Sequence, residues 1–136
     1  MTEANQVWVI DDDRSIRWVL EKALTKAGMQ VTSFSSANGV MEALERGQPE
    51  VVLSDVRMPN LSGQQLFERV SVEHPEMARR FVFATGDLAR EETMQFLEQV
   101  PNRILYKPLE VETLRRVLTQ VIASNSRRES RSTPSV

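Results

Sequence analysis

Hydrophobic and polar positions alternate in blocks along this chain. Five short runs of β-branched or aromatic residues, at 7–10, 31–34, 51–53, 81–84 and 104–106, are separated by stretches with helical periodicity. The first, third and fourth runs are apolar throughout, as central parallel strands covered on both faces must be. The second alternates, which predicts an edge strand. Between them, Ile16, Val19, Leu20, Ala23, Leu24 and Ala27 share one helix face, and Gly28 supplies the stop. Weaker stripes follow: Val40 and Leu44 before Gly47, then Leu66, Phe67 and Val70 before His74-Pro75. Thr93, Phe96, Leu97 and Val100 precede Pro101, and Leu114, Val117, Leu118, Val121 and Ile122 form the most regular stripe. The order is (βα)₅, an α/β domain with helices on both faces of a parallel sheet.

After Ala123 the pattern stops. Residues 1–124 are read as the folded domain, and the Ser/Arg-rich segment 125–136 as a disordered tail or the start of a linker. The 136 residues fit one core. Charged residues at 26% and hydrophobic ones at 40% are ordinary for a globular protein. A net charge of -2 gives no reason to expect direct nucleic-acid or anionic-membrane binding. The absence of cysteine excludes disulfides and thiolate metal sites. Neither a leader nor a membrane span is expected, which suits a cytoplasmic location.

The polar residues sit where the apolar runs end. Asp11, Asp12 and Asp13 follow the first, Asp55 closes the third, Thr85 the fourth, and Lys107-Pro108 the fifth. In open parallel sheets ligands bind beyond the carboxyl ends of the strands, where strand order reverses. For the flavodoxin-like order 2-1-3-4-5 that point lies between strands one and three, neighbours about 4.8 Å apart. Asp11 or Asp12 would then face Asp55. Two carboxylates about 5 Å apart repel by roughly 3 kcal/mol at an effective dielectric near 20. Relief comes from shared protons or a divalent cation, and an oxygen-only cluster suits Mg²⁺. With Lys107 as a point charge, Thr85 as a hydroxyl donor and a carboxylate nucleophile, these are the parts of a phosphoryl-transfer site. Taken singly each has a plainer reading: Asp13 an N-cap, Asp55 a turn residue, Thr85 the cap of a helix starting near Leu88, Lys107 a solvated strand end. Joint placement at four strand ends favours chemistry.

The segments VWVIDDD, LSDVRMPNLSG, FATGD and YKPLE resemble the response-regulator receivers of two-component signalling, essentially to Ala123. The resemblance implies Asp55 as phosphoacceptor, with Asp12, Asp11, Asp55 and the backbone carbonyl of Arg57 around Mg²⁺. It implies Thr85 as the switching hydroxyl, Lys107 as the phosphate-binding lysine and a cis bond to Pro108. It also implies a histidine kinase, phosphotransfer protein or small phosphodonor such as acetyl phosphate as donor. A downstream effector and a phosphorylation-linked homodimer belong to the same expectation. Such a domain is a switch, catalysing only its own aspartyl phosphorylation and dephosphorylation.

Two departures stand out. The aromatic usual three residues before the lysine is Ile104 here, and Tyr106 is read as facing the other way. Arg57 and Asp87 flank the site, and their opposite charges suggest a pair across its mouth that slows hydrolysis. The halves also resemble different branches: up to DVRMP the nitrogen-regulatory enhancer-binding regulators, from LSGQQLFERV the receivers of hybrid histidine kinases. A recombined chain joined near Pro59 is the expectation, a divergent natural receiver the alternative. Two other function classes remain. A phosphatase of similar fold needs an acid/base carboxylate where Arg57 stands. A pseudo-receiver used only for docking would take neither Mg²⁺ nor phosphate.

Overall fold

The computed structural model describes residues 5–57, 62–86 and 90–132. Its strands are β1 (Gln6–Ile10), β2 (Gln30–Phe34), β3 (Val51–Asp55), β4 (Phe81–Thr85) and β5 (Ile104–Tyr106). Its helices are α1 (Arg14–Lys26), α2 (Val40–Arg46), α3 (Gly63–Glu73), α4 (Pro75–Ala78), α5 (Glu91–Gln99) and α6 (Val111–Ser132). The strands form one sheet in the order β2-β1-β3-β4-β5, all pairs parallel. This is the expected doubly wound topology, with the alternating run at the edge.

Successive strand side chains point to opposite faces, and this divides the core. Val7 and Val9 join Leu20 and Leu24 of α1 and Leu114 and Leu118 of α6 in one cluster. Trp8 and Ile10 join Val40 and Leu44 of α2, Leu66 and Val70 of α3 and Phe96 of α5 in the other. Leu24, Leu66 and Leu118 are 0% exposed, each contributing roughly 2 kcal/mol by burial. Phe67 meets Phe81, Phe83 and Phe96 edge-on at 5.6, 5.1 and 5.9 Å, a geometry that suits the ring quadrupoles.

The helix ends follow local chemistry. Asp13 caps α1, its carboxylate accepting from the N–H groups of Ser15 (2.8 Å) and Ile16 (3.2 Å). Gly28 follows α1 at φ 91°, the left-handed turn that glycine adopts without a Cβ penalty. Ser62 and Gln65 form a reciprocal capping box at the start of α3.

The structure corrects the sequence reading at three elements. The one-turn helix α4, with Pro75 at its N-terminus, was not expected; Pro pre-sets φ for a first turn. The helix expected to start near Leu88 begins at Glu91, with Arg90 at its cap, so Thr85 is not a helix cap. The expected disordered segment 125–136 is helical as far as Ser132. No Gly or Pro interrupts residues 124–132, and extending an existing helix through serine and arginine costs little. Asn125, 9% exposed, packs beyond the expected boundary at 124.

Candidate functional site

The parallel sheet brings the carboxyl ends of β1, β3, β4 and β5 to one rim. Ile10 of β1 is in register with Ser54 of β3, so the next residues, Asp11 and Asp55, emerge side by side. Asp55 is in register with Ala84 of β4, and Thr85 with Tyr106 of β5. The backbone N–H of Lys107 donates to the Thr85 carbonyl at 2.9 Å. One carboxylate oxygen from each of Asp11, Asp12 and Asp55 lies within 4.8 Å of the others. Lys107 Nζ reaches into this cluster, 2.9 Å from Asp11 Oδ2 and 3.2 Å from Asp55 Oδ2.

Asp11 is 3% exposed and Thr85 1%, Asp55 is half-buried, and Asp12 is open to solvent. Burial raises the Asp55 pKa above the ordinary aspartate value; the Asp11 charge adds to this, and Lys107 opposes it without cancelling it. For Lys107, burial pulls the pKa down, but the hydrogen bond to Asp11 and the charges of Asp55 and Asp11 outweigh it, and the net shift is upward. The lysine therefore remains a cation, and the two carboxylates share its charge.

Other residues brace the site, and the sequence reading did not single them out. Arg17 Nη1 donates to the Asp11 carbonyl at 2.8 Å. Asp11 Oδ1 also accepts from the Asp13 N–H at 2.9 Å. Ser54 Oγ, 0% exposed, donates to the Asp55 carbonyl at 3.0 Å. A Cβ at Gly63 would sit 2.0 Å from that carbonyl oxygen, so α3 packs against the β3 terminus only because residue 63 has no side chain. The available signal was weak: Gly63 follows a capping serine, and Arg17 lies one helical turn beyond Asp13.

Around β5 the expected alternation needs correction. Ile104 and Tyr106 are two residues apart and share a side of the sheet. Ile104 packs against the Phe83 cluster, whereas Leu105 between them joins the opposite one. Tyr106 is 52% exposed and stands in register with Thr85. The Lys107-Pro108 bond is cis, as the resemblance implies. The Arg57 N–H lies 3.4 Å from Asp55 Oδ1. Asp87, expected to pair with Arg57, lies outside the described residues, as do Met58 and Pro59.

Carboxylates bridged by one lysine at the reversal point of a doubly wound sheet form an oxygen-only cluster of the kind that suits a hard cation. The chain belongs to the response regulator receiver domain family, which matches residues 7–119. It is similar to the DNA-binding transcriptional regulator NtrC of Klebsiella pneumoniae, 40% identical over 105 residues, which are 77% of this chain and 22% of that protein. The chain thus spans about a fifth of the length of that relative. The solution structure of the apo NtrC receiver domain is similar at a TM-score of 0.77 and 33% identity, covering 90% of this chain and 98% of that one. Its BeF3-activated form gives 0.75 at the same identity and coverage. Receivers of this family are phosphoacceptor switches that act on an output partner, and Mg²⁺ binding is typical of them. Among the described residues no helix is long and apolar enough to cross a membrane.

Proposed function

We propose that Asp55 is the phosphoacceptor of a phosphorelay receiver that works with Mg²⁺. The observation supporting this most directly is the bridge from Lys107 Nζ to Asp11 and Asp55. A lysine already neutralising the nucleophile's oxygen stands where a phosphoryl oxygen would arrive. The donor set fits a hard cation, being oxygen-only and held within 4.8 Å. Asp11, Asp12, Asp55 and the Arg57 carbonyl would hold Mg²⁺, which when bound offsets the negative charge of carboxylates and phosphoryl oxygens.

The donor is a phosphohistidine of a histidine kinase or phosphotransfer protein, or a small acyl phosphate such as acetyl phosphate. A carboxylate oxygen of Asp55 attacks phosphorus in line. The bond from phosphorus to the donor imidazole nitrogen, or to the acetate oxygen, breaks and its electron pair leaves with the donor. Asp55 then carries an acyl phosphate, Lys107 pairs with one phosphoryl oxygen and the Thr85 hydroxyl donates to another. Arg57 stands where a hydrolase would need an acid/base carboxylate, so the chemistry is acceptance rather than turnover. The new anion competes with Asp11 for Lys107, which biases a pre-existing equilibrium between inactive and active forms. The output face comprises α5, β5 and α6. It serves an effector or a phosphorylation-linked homodimer in the cytoplasm.

A recombined origin, with a hybrid-kinase-like second half, stays part of this reading. The 105 residues aligned with NtrC necessarily run past Pro59, so the test is whether residues 61–100 alone match hybrid-kinase receivers better than NtrC.

The function is tested with acetyl phosphate and Mg²⁺ by intact-mass spectrometry, and with beryllium fluoride by amide NMR. The wild type gains a phosphoryl mass and shifts its spectrum, whereas Asp55→Asn does neither. An adduct surviving in Asp55→Asn, or none in the wild type, overturns the assignment.

A further inference from the structure

At the opposite end of the sheet from Asp55, α6 leans over the first residue of β4 and the turn before β5. Here a cleft of ≈ 230 Å³ opens between Arg79 and Arg103 on one side and Gln120, Ser124 and Asn125 on the other. Phe81 and Val121, buried at 1% and 9% exposure, line it with Pro101. Phe81 and Thr85 are four residues apart, so the cleft lies about 13 Å along the strand from the phosphoryl site.

Three features give the cleft a chemical character. Among the described residues its lining holds two arginines and no carboxylate, against a chain of net charge -2. One wall is pinned, because Asn102 Nδ2 donates to the carbonyls of Ala78 and Phe81, each at 2.8 Å. The third is an orphan: Asn125 is 9% exposed, and its Nδ2 is enclosed without a hydrogen-bond partner. Among the described side chains it is the one buried nitrogen or oxygen in that condition. Leaving such a donor unpaired is destabilising, and nearly all buried polar groups avoid it. Asn125 is itself a lining residue of the cleft, and because the Asn χ2 torsion is broad its amide can rotate towards a ligand there.

We infer that this basal cleft is a binding site for a carboxylate carried on a short apolar body. The apolar floor takes the body. Arg103, which also donates to Gln120 Oε1 at 2.9 Å, still has guanidinium N–H groups for the carboxylate, and Arg79 supplies the second charge. Asn125 then gains the acceptor it lacks. The ligand is either a free organic acid or a glutamate side chain of a protein segment.

The test is a titration of the full chain, followed through the side-chain amide signals of Asn125, with propionate in one arm and an N-acetyl-glutamate-amide peptide in the other. Chloride at matched ionic strength is the control. Saturable shifts are expected with at least one of the two probes, and the tighter probe identifies the source. Arg103→Gln should weaken binding by about tenfold, roughly one charge-assisted hydrogen bond, with the beryllium fluoride response intact. Asn125→Leu, close in volume, should fold and lose the saturation seen through neighbouring backbone amides. Shifts matched by chloride, or binding unchanged in both variants, overturn the inference. A failure of Asp55 to take phosphate leaves this result standing, because the cleft uses none of the same residues.

Discussion

Replacing Lys107 with methionine in metal-free protein isolates the electrostatics of the rim. The side chain keeps much of its apolar length, but the cation touching Asp11 and Asp55 at 2.9 and 3.2 Å is gone. Those carboxylate side chains are 5% and 12% exposed, so water screens them poorly once the cation is gone. Breaking a buried pair by removing one partner costs about 3–5 kcal/mol. The lower end applies because Asp55, whose pKa is already raised, can relieve the strain by taking up a proton. A loss of about 3 kcal/mol, set against an unfolding entropy of about 2.1 cal/mol/K per residue over 136 residues, lowers Tm by roughly 10 °C. The assay is thermal unfolding by circular dichroism in EDTA, repeated with saturating Mg²⁺. The deficit should shrink as pH falls through the raised Asp55 value, and Mg²⁺ should restore more of Tm to the variant than it adds to the wild type. A Tm within about 2 °C of wild type in EDTA at neutral pH would refute the claim that Lys107 neutralises this cluster.

Asp55→Asn acts in the opposite direction. The folded state holds the Asp55 proton more tightly than the unfolded chain does, so metal-free stability falls as pH rises from the ordinary aspartate value through the raised one. The variant should be more stable than wild type at neutral pH and lose that advantage in acid, read by urea denaturation across pH in EDTA. Gly63→Ala places a Cβ 2.0 Å from the Asp55 carbonyl oxygen; overpacking of this kind costs about 1–3 kcal/mol. Because the displaced group belongs to the phosphoacceptor, beryllium fluoride affinity measured by amide NMR should drop as well. Asp13→Ala removes two N-cap hydrogen bonds and should cost about 1 kcal/mol in urea midpoint analysis, while the beryllium fluoride spectrum of the site is retained.

The strand runs and the chemistry at their ends were legible in the sequence because both are local. A run such as 51–53 buries both faces wherever it lies, and Asp55 follows it whatever the tertiary arrangement. The strand order was legible only through general rules for parallel sheets, and the observed order agrees with it. The Tyr106 orientation was misread although it is a matter of period two: residues 104 and 106 lie on one side. The end of α6 was missed because polar residues carry no periodic signal, although nothing in them stops a helix.

By itself, then, the sequence determined which residues could meet: acidic groups, a hydroxyl and a lysine, each attached to the end of an apolar run. Only the tertiary structure decided how they meet. That Lys107 spans both Asp11 and Asp55 depends on residues 96 and 52 positions apart in the chain. That Gly63 must lack a Cβ depends on an approach of a few ångströms between α3 and the end of β3. Such distances arise from packing two helical layers onto a twisted sheet, and no pattern along the chain encodes them.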